Sequence, residues 1–206
     1  MSQAGLTLIP RAYRMQAGGI DFSTVLWSVG LRGEAAVKYP YDDYNAEVYV
    51  PNPYAQYVVG IDKSIGDWNA LVQYSGVYVF HFGSIVEPVL SNPYDPSAQA
   101  QYASDLAAGE IKRLNRMFTG TADEVSHTLT GNVQWNTLYE TLHLKLACMY
   151  DITTKEYAIN PGIAYDVADA IGVTVGGRYI AGPDGSLNDM VSKLLSFVYA
   201  EVKVSF

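Results

Sequence analysis

The residues of this chain that could do chemistry are spread along it at even spacing rather than gathered in one motif. Arg32, Glu34 and Lys38, then Asp62, then His143 and Lys145, then Asp166, Arg178, Glu201 and Lys203 fall on alternate positions of short segments whose other positions are mostly apolar. Asp21, His81 and Asp151 keep the same phase in their own segments. Side chains alternate between the faces of an extended strand, so these residues would share one wet face. Both signs occur close to balance. Such a face can line an aqueous path and tune which ions and small solutes pass, or brace neighbouring strands through charge pairs. Glu201 and Arg178 lie on adjacent segments and are candidates for such a pair. Both roles stay open for any single residue, while some lining role is expected of the set. Balanced charge argues against a strongly ion-selective opening of one sign.

No catalytic constellation competes with this reading. His81, His127 and His143 are scattered, and no HExxH, GxSxG or phosphate loop occurs. The chain is expected not to be an enzyme and to need no cofactor or metal. His127 sits in the apolar phase near a segment end and reads as a satisfied boundary residue. The net charge of −8, with no basic stripe, argues against nucleic acid as a partner. The single Cys148 excludes an internal disulfide framework and zinc-type cysteine spacing.

The elements that must position these residues read as strands. In the last ten residues, FVYAEVKVSF, Val198, Ala200, Val202, Val204 and Phe206 alternate with Tyr199, Glu201, Lys203 and Ser205. The pattern recurs upstream at about 171–180, 157–167, 141–152, 125–136, 69–82, 54–63 and 29–39. A first, less regular strand lies within 11–26, with a bulge expected at Gly18-Gly19. Each segment is about ten residues long, the length of a tilted strand that crosses the hydrocarbon layer of a membrane. No run approaches the roughly 18 apolar residues of a spanning helix. If the chain crosses a membrane, it does so as a barrel.

Composition agrees. Apolar residues make up 49% and charged residues 17%, against about 25% charged in ordinary domains. Tyrosine is the outlier at 17 of 206 residues. Tyr39, Tyr54, Tyr57, Tyr150, Tyr157 and Tyr179 sit near strand ends, where an apolar ring with a wet hydroxyl suits a membrane boundary. Good strand propensity is the plainer reason for tyrosine.

The connections sort by length. Those near 181–194, 84–124 and 40–53 are long and would be external, and the short 153–156 falls on their side. Those near 168–170, 137–140, 65–68 and 27–29 are short and would be periplasmic. Within the long connection 84–124, Tyr102, Leu106, Ile111, Leu114 and Phe118 recur at helical spacing and predict a helix over 102–118. It would either fold into the lumen as a constriction or cap the external mouth, the blander choice. An odd strand count would place residue 1 outside the cell, whereas complete single-chain barrels have even counts. No secretory signal opens the chain. The expectation is the C-terminal part of a larger barrel; a closed eight-stranded barrel with an N-terminal arm is the rival.

Several stretches, "GLRGEAAVKY", "QYVVGIDKSIGDWNALVQY", "ETLHLKLACMYDITTKEYAINPGIAYDVADAIGVTVGGRYIAGP" and the ending "VYAEVKVSF", resemble uncharacterised porin-type outer-membrane proteins of Gram-negative bacteria. Together they cover most of both halves. The resemblance implies a β-barrel; with the segments above, the expectation is an all-β fold, an antiparallel transmembrane β-barrel of about nine meander strands with a short helix in one external loop, residues 1–206 forming one domain. It implies residence in the bacterial outer membrane and passive or selective passage of small solutes, with the bilayer and the barrel-assembly machinery as partners and a homo-oligomer left open. Val202, Val204 and Phe206 would form the assembly signal. It transfers no catalytic residues. After the Gly-Pro-acidic turn, where such relatives have an aromatic, this chain has Ser186-Leu187-Asn188-Asp189. An outer-membrane barrel with a structural or adhesive role and no open pore is the second reading. A soluble β-sandwich or binding module is the third.

Overall fold

The computed structural model describes residues 11–205. The chain forms β1 (Met15–Leu26), β2 (Val29–Pro40), β3 (Tyr54–Ile65), β4 (Trp68–Val79), α1 (Pro96–Thr119), β5 (Val125–Thr137), β6 (Leu142–Asp151), β7 (Tyr157–Ala168), β8 (Ile171–Ala181), α2 (Leu187–Leu195) and β9 (Phe197–Val204). The nine strands make one sheet in sequence order, an antiparallel meander. The strand number and hairpin order expected from the alternation are what the structure has. β1 and β9 form the two edges, and no ladder joins them among the described residues. No described helix is long and apolar enough to cross a membrane.

The register carries the alternation intact from strand to strand. Trp68 faces Trp135, which faces Leu144, then Ile163, Val175 and Ala200 in turn. One step along, Asn69 faces Gln134, then Lys145, Gly162, Gly176 and Tyr199. Since the side-chain period is two, a one-residue slip at any ladder would interchange these rows. The Arg14 carbonyl accepts from the Tyr41 N–H, Gly19 abuts Ala36 and Phe22 lies over Gly33, the same register at all three, so no residue is inserted at Gly18-Gly19. A register shift lies instead between Asp166 and Ala168 on β7.

Two tight turns are built without glycine. Trp27 and Ser28 have φ of 48° and 63°, and Leu138, Tyr139 and Glu140 have φ of 52°, 58° and 66°. Left-handed backbone matches the twist of the flanking strands, at a cost of about 1–2 kcal/mol per non-glycine residue.

The helices depart from expectation. α1 runs from Pro96 rather than 102, because the Asp95 side chain accepts the Ser97 N–H and Pro96 occupies the first turn. It ends at Gly120, whose φ of 68° lets its N–H reach back to the last carbonyls. α2 occupies a stretch expected to be loop, and the last strand therefore begins at Phe197 rather than 195. Phe206 lies outside the described residues.

Two compact units can be told apart. The described part of the first comprises residues 11–18, Val37–Tyr54 and Val79–Asp123. It has a small core: Pro40, Val50, Pro53, Tyr54 and Val79 are buried, as are Asn52, Arg116 and Thr121. The Asn115 amide of α1 donates to the Val48 carbonyl (3.2 Å) and that of Asn52 to the His81 carbonyl (2.9 Å). The second unit comprises Gly19–Ala36, Ala55–Tyr78 and the chain from Glu124 onward. It holds most of the sheet and α2, and among its described residues the buried apolar core is Ala158 and Ile180.

Candidate functional site

The two faces of the second unit carry opposite chemistry. Val72, Val133, Leu146, Ile159, Ile163, Val175, Val198 and Val202 share the apolar face, and each is exposed. Val175, in the middle of a ladder with strands on both sides, is 48% exposed. Cys148 lies on this face opposite Gly131. Aromatic side chains mark both ends of the apolar band. Near the β3–β4 turn, the Trp68 and Trp135 rings stack 5.0 Å apart with 3° between planes. Toward the long connections, Tyr57 lies 6.1 Å from Tyr74, Tyr74 stacks 5.6 Å from His127, and Tyr157 lies 6.0 Å from Tyr179, with Tyr150 paired to Tyr157. The Tyr74 hydroxyl and His127 Nδ1 are 2.7 Å apart, so this apolar-face histidine is satisfied. Tyr54, expected in the same row, is instead buried in the first unit, where the Lys38 ammonium stands 5.3 Å from its ring centroid.

The polar face holds two charge networks. Arg32 and Asp62 form an ion pair between β2 and β3, and the Asp62 carboxylate lies so close over Gly30 that a methyl group there would collide with it. On β6 and β7, His143 Nε2 is 3.4 Å from an Asp166 oxygen, while Nδ1 is 2.9 Å from the Asn136 side-chain oxygen, which also accepts from Gln134 (2.8 Å). Asp166 leans over Gly172, and Lys203 occupies the facing position on β9. Lys145 lies between Gln134 and Gly162. Glu34 comes opposite Asp21 by the register of the neighbouring Gly19–Ala36 and Phe22–Gly33 contacts, and both line a cleft with Gln56 and Ser75.

The suggested Arg178–Glu201 pair does not form. Arg178 faces Phe197 and Glu201 faces Thr174, four residues further along β9. At a rise of about 3.3 Å per residue that is about 13 Å, too far for a cross-strand pair. Asp151 is a turn former: one carboxylate oxygen accepts the Thr153 and Thr154 N–H groups (2.9 and 2.8 Å), the other the Thr128 hydroxyl (3.0 Å). His81 lies beyond the end of β4, stacked on Tyr44 at 6.3 Å.

What covers the sheet falls on its polar face. Ala158 and Ile180 are 4% and 3% exposed, in the same phase as Gly162 and Gly176 rather than Ile163 and Val175. α2 lies there: the Asn188 N–H donates to the Glu156 carboxylate (2.5 Å), its amide approaches the Tyr157 carbonyl (3.4 Å), and the Ser196 hydroxyl accepts the Ile180 N–H (3.2 Å). In the first unit Pro40, Tyr54 and Val79 are buried and Lys38 is half-buried, whereas Val37 and Tyr39 on either side of Lys38 are exposed, so packing there follows the polar phase too. The α1 residue Lys112 has its pKa lowered by burial and by the neighbouring Arg116 charge. Burial lowers Arg116 as well, and its guanidinium lies 4.7 Å from the Phe82 ring centroid.

Sequence reasoning missed α2, although its signals are present. Ser186 accepts the Asp189 N–H as a cap, and Leu187, Met190, Val191, Leu194 and Leu195 recur at helical spacing. Among the described residues no group of three or more His, Cys, Asp or Glu is placed to hold a metal. A scan against protein-family models found no match, and a search of curated proteins returned none.

Proposed function

We propose that this chain is part of a bacterial outer-membrane β-barrel of porin type, with the apolar face against lipid and the polar face lining an aqueous path for small solutes. One observation carries the reading: the covering elements collect on the polar side, while a broad apolar face is left bare between two aromatic rows. In water the preference would be the reverse, because burying apolar area stabilises by about 25 cal/mol per Å² and large bare apolar patches are rare on soluble monomers. Trp135 lies eight positions after His127 on β5, about 27 Å along the strand. Tilted by about 40°, that spans roughly 20 Å of membrane, close to the apolar band of known barrels.

Nine antiparallel strands leave β1 and β9 running the same way, so direct closure would need a parallel pair. The proposed wall is therefore part of a larger one. Its size decides whether a path is open, since about eight strands enclose a filled interior and sixteen or more a channel.

The position of α2 on the polar face also favours a second reading, a structural or adhesive barrel whose interior is filled. Conductance separates the two. The full-length protein refolded into a planar phospholipid bilayer is expected to give discrete, salt-dependent current steps. Membrane-inserted protein without conductance would leave the filled barrel, and protein that stays monodisperse without detergent would sink both.

A further inference from the structure

On β8, residues 176, 178 and 180 share the polar face, and their surroundings make a three-sided niche. Ile180 is buried beneath the α2 segment, tied there by the bond from its N–H to Ser196. The Tyr199 phenol lies across Gly176 so closely that a methyl group at 176 would come within 2.6 Å of its oxygen. Between them stands Arg178, facing Phe197 across the ladder. Phe197 and Tyr199 are exposed, with ring centroids 6.2 Å apart. The Arg178 guanidinium is exposed, and among the described residues it has no ion pair or side-chain hydrogen bond.

We infer that this corner binds organic anions with an apolar body, such as arylalkyl carboxylates. A guanidinium presents paired N–H donors that match both oxygens of a carboxylate. Aromatic faces beside it accept the apolar body, at a wall where water supplies no comparable partner. Neither part suffices alone: a chloride ion would use the charge without the rings, and a neutral aromatic the rings without the charge. The inference rests on the polar face being the wet lining proposed above. It adds a solute class to a wall whose total charge is nearly balanced.

Phenylacetate is a suitable probe, with benzyl alcohol as its uncharged counterpart. Binding is read in two ways on the full chain: by ligand-observed saturation-transfer NMR in detergent micelles, and by block of chloride current in a bilayer. Phenylacetate is expected to bind at least tenfold more tightly than benzyl alcohol. Arg178→Gln should remove that advantage, Arg178→Lys should keep part of it, and Gly176→Ala should weaken binding about threefold by displacing Tyr199. Equal affinity for the two probes, or equal phenylacetate affinity in wild type and Arg178→Gln, would overturn the site even if the channel conducts. Arg178-dependent binding in micelles without any conductance would uphold the site and refute the open path.

Discussion

The two faces of the sheet are made by the same strands and ladders, yet they are treated in opposite ways. On the apolar face, Val72, Val133, Ile163 and Val175 form a continuous band that the other described residues leave exposed. On the polar face, small residues such as Gly162, Ala164, Gly172 and Gly176 leave room, and charged side chains and α2 occupy it. Were the sheet built for water, α2 would be expected to turn its apolar residues toward the valine face. Instead Ile180, on the polar side, lies under it. The difference teaches that the described packing is directed to the polar side, and it leaves the apolar face free for the lipid contact proposed above.

The sharpest way to break this comparison is to place the same charge on each face at neighbouring positions. Val175→Arg is expected to destabilise the membrane-inserted state by about 2–4 kcal/mol, because the guanidinium would meet hydrocarbon. Thr174→Arg, one residue away and facing Glu201, should cost under about 1 kcal/mol. Urea titration of protein refolded in phospholipid vesicles reads both. Equal costs would mean that the faces do not see different solvents.

Most of this frame was legible in the residues, and the reasons are physical. A period of two is a strong signal where one face is apolar, so β5 to β8 lie within a residue or two of expectation. What failed was local. α2 carries a cap at Ser186 and a helical apolar period, but it follows Gly182-Pro183-Asp184-Gly185, and nine residues seldom overcome so strong a turn signal. By contrast, the connection expected near 27–29 is where the Trp27-Ser28 turn lies, though no glycine announces its left-handed backbone. At the site, the polar phase was readable while partnership was not. Arg32 and Asp62 meet because strand register brings them together, and Arg178 and Glu201 stay apart for the same reason. Tyr54 shows the limit of placing tyrosines by strand ends alone: its phase puts it with the buried polar-side residues, whereas Tyr57 falls on the bare face.

The stacked indoles sharpen the comparison at one edge of the apolar band. Trp68 and Trp135 are cross-strand partners at 5.0 Å, and such pairs contribute about 0.5–1.5 kcal/mol beyond their buried area. A double-mutant cycle with Trp68→Ala and Trp135→Ala in vesicles should return a coupling of that size. Quenching by lipids brominated near the headgroup should reach both rings. A coupling near zero would mean that each ring is held by its surroundings independently of the other.

The smallest expected effect concerns the first unit, where packing has made cations uncomfortable. Lys112 is held below its ordinary pKa first by burial and then by the nearby Arg116 charge. A lysine whose folded pKa lies below the unfolded value binds fewer protons when folded, so stability should rise with pH between those two values. Below that window Lys112 is charged in both states and its penalty is fully present. Lys112→Met removes the titrating group while keeping much of its apolar stem. The variant should therefore be slightly more stable at neutral pH, and the rise toward alkaline pH should be shallower than in the wild type. Because many tyrosines also titrate there, the difference between the two proteins carries the information rather than either curve alone. Parallel curves would place the alkaline dependence elsewhere and leave the polar-phase packing around α1 without an electrostatic cost.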